Sequence, residues 1–154
     1  MKWCTKDIIL FNKEKEFVDT VVVPLVPISW DKNMTATVRE GEHITILARE
    51  IEHQLMGRMV EAPPFTYLKS ESMEERMKRL KLWEKNIKES GIGYIFYLTS
   101  DVDWNQKNHN MLDMIWLPAV PLEHMEGKAR DAYLDETVQD ILKVITESWQ
   151  QFSE

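Results

Sequence analysis

Asp101 and Asp103 stand two residues apart in the run Thr99-Ser100-Asp101-Val102-Asp103-Trp104, directly after an aromatic and apolar segment, Tyr94–Thr99. Carboxylates at the end of a strand can bind a metal, act as a general base or hold a ligand hydroxyl. In an extended loop, side chains two apart share a face. Ser and Asp also build turns and cap helices, and Asp103 ahead of Trp104-Asn105-Gln106-Lys107 reads as an N-cap. The turn and capping reading is preferred. The four histidines are His43, His53, His109 and His124. None falls in the Glu-x-x-His or His-Glu-x-x-His spacing of helical metal sites. His43 and His53 lie nearly three helical turns apart, too far for one ion on one helix. Each histidine is expected at the solvated surface, and His124, just after a proline cluster, is the first to check. Thr66 and Tyr67 follow Pro63-Pro64. Such a hydroxyl pair can line a pocket, although Tyr67 is expected to pack on the prolines.

Other chemistry is missing from the chain. There are only five glycines and no Gly-rich phosphate loop. The nucleophile-elbow pattern Gly-x-Ser-x-Gly does not occur. Cys4 is the one cysteine, which excludes an internal disulfide and a cysteine zinc site, and it is expected to be a plain small apolar residue. The net charge of −7 is spread along the chain without a basic stripe, which argues against nucleic acid or an anionic membrane as main partner. No window approaches the ~18 apolar residues of a membrane span, and no signal peptide is evident. A cytoplasmic protein without a cofactor is the expectation. At 154 residues with 44% hydrophobic content, one domain spanning 1–154 can bury a real core.

The elements that must position these groups follow from periodicity. A short helix with Thr5 as N-cap covers about 5–18, and a near-continuous apolar run gives a strand over about 20–26. Ile44, Leu47, Ala48, Ile51 and Leu55 recur at helical spacing over about 41–56, with Gly57 as the stop. A second strand covers about 58–62. Ser72 and Glu75 form a capping box for a helix that runs to about 89 and ends before Gly91. Tyr94–Thr99 is the clearest strand. A fourth strand covers about 114–118, and a striped helix fills about 131–152. Alternating strands and helices predict an α/β fold: three layers, with a four-stranded mostly parallel sheet and helices on both faces. The link of roughly 14 residues into the fourth strand sits near the minimum for a parallel crossover, and parallel is preferred over a hairpin.

Three apolar runs lead into proline clusters: Pro24/Pro27, Pro63/Pro64 and Pro118/Pro121. Proline cannot donate to a ladder, so each cluster should mark a strand end. In a parallel sheet those ends share one side, where open α/β sheets bind ligands. The polar stretches just beyond should then meet on one rim: Ser29, Trp30 and Asp31, Thr66 and Tyr67, Ser100, Asp101, Asp103 and Trp104, and Glu123 and His124. Of the six tryptophans, Trp83, Trp116 and Trp149 fall on core stripes. Trp30 and Trp104 fall on the proposed rim, where either partner contact or core-edge packing would suit them. Nine methionines suggest an adaptable core, with Met73, Met77 and Met125 as an alternative exposed patch.

Several segments in combination resemble the YpiF-like family of uncharacterised proteins from Bacillus and its relatives, over the whole chain. They are the opening Met-Lys-Trp, Phe17-Val18-Asp19-Thr20 leading into Val-Pro-Leu-Val-Pro-Ile-Ser, Pro63-Pro64-Phe65-Thr66-Tyr67-Leu68, and Leu117-Pro118-Ala119-Val120-Pro121-Leu122-Glu123. The resemblance brings no catalytic residues. Its genes often neighbour those of the menaquinol–cytochrome c reductase, which implies at most an accessory role near a respiratory complex. The favoured reading is a non-enzymatic binding or accessory protein with a protein or small-molecule partner, since active sites need mutually placed groups. The alternative is a small metal-assisted hydrolase at the strand ends, with Asp101, Asp103, His109 and His124 as ligands or base and Ser100 or Thr66 positioning substrate. That alternative requires these side chains to converge. Asp101 capping a helix, with His124 in solvent elsewhere, would remove it. A homodimer through an exposed apolar face is a third reading.

Overall fold

The computed structural model describes residues 1–105 and 112–152, the last by its backbone alone. Five parallel strands form one sheet: β1 (Thr20–Ile28), β2 (Met59–Glu61), β3 (Phe65–Leu68), β4 (Tyr94–Thr99) and β5 (Met114–Trp116). β1 is central. β2 and then β3 pair with one of its sides, and β4 followed by β5 lie on the other. Among the described residues four α-helices separate or flank the strands: α1 (Thr5–Lys13), α2 (Met34–Gln54), α3 (Met73–Glu89) and α4 (Gly127–Phe152).

Alternation along the strands divides the core into two layers, as a period of two requires. Val21, Val23 and Leu25 of β1, with Ile95 and Tyr97 of β4, meet Ile8 and Phe11 of α1 and Leu80 and Trp83 of α3. Val22, with Phe96 and Leu98, meets Ile44, Leu47 and Ile51 of α2 and Leu134, Val138 and Ile141 of α4. The three-layer α/β arrangement matches expectation, and β5 is parallel to β4.

Two proline clusters follow strand ends as expected, Pro63-Pro64 after β2 and Pro118 after β5, but the first does not. Pro24 and Pro27 lie inside β1, and the chain after Pro63-Pro64 resumes pairing with β1 as a fifth strand. The reason is where the missing N–H groups point. The carbonyls of Val22 and Ile28 accept from Ala62 and Lys69, so even-numbered residues of β1 face the β2/β3 side. Pro24 therefore faces the break between Val22↔Glu61 and Leu25↔Phe65, where the ladder is interrupted anyway. Pro27 faces the β4 side, beyond the last register pair Pro24↔Leu98. Neither proline removes a ladder bond.

Helix ends also moved. α2 starts at Met34, two turns before its apolar stripe becomes legible, and α1 stops at Lys13 before a separate 3-10 turn at Lys15–Phe17. Cys4, rather than Thr5, is the N-cap of α1, and it is exposed. The Ser72 side chain accepts from the Glu75 amide at 3.2 Å, as the capping box requires. Gly41 lets α2 lie close on β1: a Cβ there would stand 2.8 Å from Val26 Cγ1. That approach carries Glu40 and His43 over the strand ends.

Candidate functional site at the carboxyl edge of the sheet

From β1 the chain crosses to β2 and β3 on one side, then returns past β1 to β4 on the other. The switch point of the topology is the gap between the ends of β1 and β4, the place where open α/β sheets bind ligands. Ser29, Trp30 and Asp31 follow β1 there, and Ser100 and Asp101 follow β4. Pleating sends Ser100 toward the α2/α4 layer and Asp101 toward the α3 layer, so two separate polar networks start from adjacent residues.

Asp101 is completely buried. Its Oδ1 accepts from the Asp103 amide at 3.0 Å and lies 2.8 Å from Lys69 Nζ, while Oδ2 accepts from the Tyr67 hydroxyl at 2.8 Å. Arg76 Nη1 stands 3.6 Å from Oδ2. Lys69 Nζ also lies 3.1 Å from Glu40 Oε2, which links α2 to the end of β3. Buried Arg76 donates to the carbonyls of Lys69 (2.7 Å) and Glu71 (3.0 Å) and to Asp103 Oδ2 (3.2 Å). Its guanidinium lies over the Tyr67 ring, 4.6 Å from the centroid.

These contacts set the protonation states. Burial would raise the Asp101 carboxyl, but Lys69, the Asp103 amide and the Tyr67 hydroxyl outweigh it and hold the group below its ordinary value. At Glu40 burial wins over Lys69 and the carboxyl is pushed up. Burial would lower Lys69, yet Asp101 and Glu40 together raise it, so it stays charged. Tyr67 is raised by burial and then by Asp101, which keeps its hydroxyl a donor. The cluster thus holds Asp101, Asp103 and Glu40 against Lys69 and Arg76 in fixed pairs.

In the second network His43 Nδ1 stands 3.0 Å from Ser100 Oγ, and Nε2 stands 2.7 Å from the Tyr133 hydroxyl. A serine beside a neutral imidazole is also how a nucleophile is activated. Here both groups are buried, and the third member is a neutral phenol where a triad has a carboxylate. An imidazolium would lack a counter-charge. Burial lowers the His43 pKa from its ordinary 6.5. In the unfolded chain His43 binds its proton near that value, whereas the folded protein resists protonation to lower pH. Stability from this group is therefore full above 6.5 and declines as pH falls below it. Urea denaturation from pH 8 to pH 5 is expected to show that decline, with a shallower slope in His43→Gln.

Tyr67, Asp101 and Asp103 converge with Lys69 and Arg76. Thr66 points to solvent on the opposite side of its strand, so the Thr66–Tyr67 hydroxyl pair does not form. The Tyr67 ring meets those of Phe65 and Trp104. Asp101, not Asp103, caps the 3-10 turn Val102–Trp104, because only a residue ahead of the turn can reach its first amides. Trp104 is buried in the core. Ser29 donates to Asp31 Oδ1 at 2.8 Å, and the Asn33 amide donates to the same oxygen at 2.8 Å, which lowers the Asp31 pKa. Trp30, between them, is 80% exposed. His124 is 73% exposed beside Glu123, and Arg39 of α2 holds that glutamate through Nε at 2.8 Å. His109 lies outside the described residues. Among the described residues no three His, Cys, Asp or Glu groups come together as a metal site. Among the described residues Asp101 is the cap of the turn after β4, while His124 is exposed beside Glu123.

His43 is the largest correction among the histidines: it is core, while His53 and His124 are at the surface. Met73 and Met77 pack on one core layer and Met125 on the other, so they form no common patch.

The sequence pattern of a family described as "Protein of unknown function (DUF2487)" matches residues 10–149. The chain belongs to the DUF2487 family. It is 32% identical over 150 residues to the "Uncharacterized protein YpiF" of Bacillus subtilis (strain 168), covering 97% of this chain and 98% of that protein. This agrees with the resemblance carried by the proline-rich segments. No solved structure matches the chain. No helix among the described residues of this DUF2487 protein is long and apolar enough to cross a membrane.

Proposed function

We propose that this DUF2487 protein is a non-enzymatic binding protein, a single cytoplasmic domain that meets a protein partner through the carboxyl edge of its sheet. The observation that carries the reading is Trp30, 80% exposed at the switch point on a turn tied down by Ser29 and Asp31. Exposed Met34 and Val38 share a face at the start of α2, exposed Leu68 ends β3, and exposed Val102 follows β4. Exposed apolar groups near strand ends and helix starts, with a tryptophan on a hydrogen-bonded turn, suit a protein interface. Beneath them the charged groups are engaged with one another, which favours recognition over chemistry. The family resemblance makes a respiratory complex the first partner to try.

Affinity capture from native lysate with the wild-type chain, Trp30→Ala and Val102→Asp tests this. One identified partner is expected with the wild type and lost with both variants, while unfolding free energies stay within about 0.5 kcal/mol. Failure to recover any partner at low and at high salt, or equal capture by all three proteins, would overturn it. Recovery of the chain itself would mean a homodimer instead.

A further inference from the structure

α1 and α3 lie on the same face of the sheet and leave a slot of about 430 Å³ between them. Ile8 and Phe11 of α1 form one wall, Trp83 and Ile87 of α3 the other, and Val60 and Ala62 the floor. The volume falls within the ~300–1,000 Å³ of small-molecule sites, whose linings are mostly apolar. Asn12, Asn86 and Ser90 supply the polar groups of the lining, and among the described residues no charged side chain lines it. A charged group inside would lie unpaired in an apolar environment, so the enclosed part of an occupant must be apolar. Outside the slot the balance differs slightly: leaving aside Arg76, which is engaged with Asp103, α3 carries five Lys and Arg against four Glu, and α1 two Lys against one Asp, in a chain of net charge −7. Exposed Trp3 and Leu82 continue the apolar surface past the mouth. No residue of α1 is fully buried, so this wall rests on half-buried side chains and can yield as a ligand enters.

We infer that the slot binds the hydrocarbon chain of a single-chain anionic amphiphile of the fatty-acid type, its carboxylate remaining in water among the helix lysines. This site lies on the α1/α3 face and does not depend on the partner surface around Trp30. The probe is dodecanoate, titrated below its micelle concentration into the full chain and followed by calorimetry and native mass spectrometry. Saturable uptake of one molecule per chain is expected. Ala62→Phe, which fills the floor, and Leu82→Glu, which adds a negative charge at the mouth, should each weaken uptake about tenfold. Dodecyltrimethylammonium, with the same chain and a cationic head, should bind about tenfold more weakly than dodecanoate. Leu82 is exposed, so its variant reports on binding even where Ala62→Phe fails to fold. Absence of saturable uptake, affinity unchanged by Leu82→Glu, or equal binding of the cationic probe would each overturn the assignment.

Discussion

Replacing Arg76 with methionine is expected to destabilise the protein by about 3–5 kcal/mol, the cost of breaking a buried charge cluster by removing one partner. Arg76 ties three segments together. It holds the β3–α3 connection through the Lys69 and Glu71 carbonyls, the turn after β4 through Asp103, and the Tyr67 ring by stacking. Methionine fills much of the space but donates nothing, so two carbonyls and a carboxylate lose their partner at once. Arg76→Lys should recover little of the loss, because one ammonium cannot reproduce a planar fork that serves all three. Urea denaturation with both variants measures this. A loss below about 1 kcal/mol for Arg76→Met would mean that the cluster relaxes around water and holds nothing in place.

Why the charged cluster was hidden in the sequence follows from the same residues. Arg76 shares an i, i+4 row with Leu80, which is fully buried, and His43 shares one with Leu47 and Ile51. Helical spacing therefore placed both on core faces. Their polarity argued for solvent, because burying a charge or an imidazole is favourable only when partners await it. Those partners lie on other elements, Asp103 beyond β4 for Arg76 and Ser100 and Tyr133 for His43. A pattern along one segment does not encode a meeting between three. Tyr94–Thr99 was legible because its aromatic and apolar run serves both faces of the sheet, and the alternation it predicts is found. β3 was not, because Pro63-Pro64 is a stop signal for its own strand but leaves the neighbour β1 free to pair again after a one-residue offset. Chain order was legible: Ser29–Asp31 follow β1 and Ser100–Trp104 follow β4, although Pro24 and Pro27 lie within β1 and do not mark its end. Which of those side chains turn inward was decided by strand alternation and by Lys69, which carried no signal of its own.

Lys69 supports the second large prediction, in which the direction of the pH effect matters as much as its size. Lys69→Met is expected to cost about 3 kcal/mol at neutral pH, since it removes the closest cation from a completely buried carboxylate. In the wild type the folded Asp101 pKa lies below its ordinary 3.8, so the group stabilises the fold above that value and loses its contribution as pH falls through the folded pKa. Without Lys69, burial becomes the dominant influence on Asp101 and pushes its folded pKa up. The sign of the linkage then reverses: the variant is penalised while the carboxylate must stay charged and is relieved as acid neutralises it. Glu40, already raised by burial and paired with the same ammonium, moves in the same direction. The stability gap between wild type and Lys69→Met should therefore be widest near pH 7 and narrow steadily toward pH 4. Lys69→Met combined with Asp101→Asn should lie above the single Lys69→Met variant at neutral pH, because the asparagine carries no charge to strand while its oxygen can still accept from Tyr67. Denaturation curves for the three proteins at both pH values measure the reversal. A gap of equal size at pH 4 and pH 7 would show that Lys69 acts by packing alone and that the buried carboxylate does not depend on it for its charge.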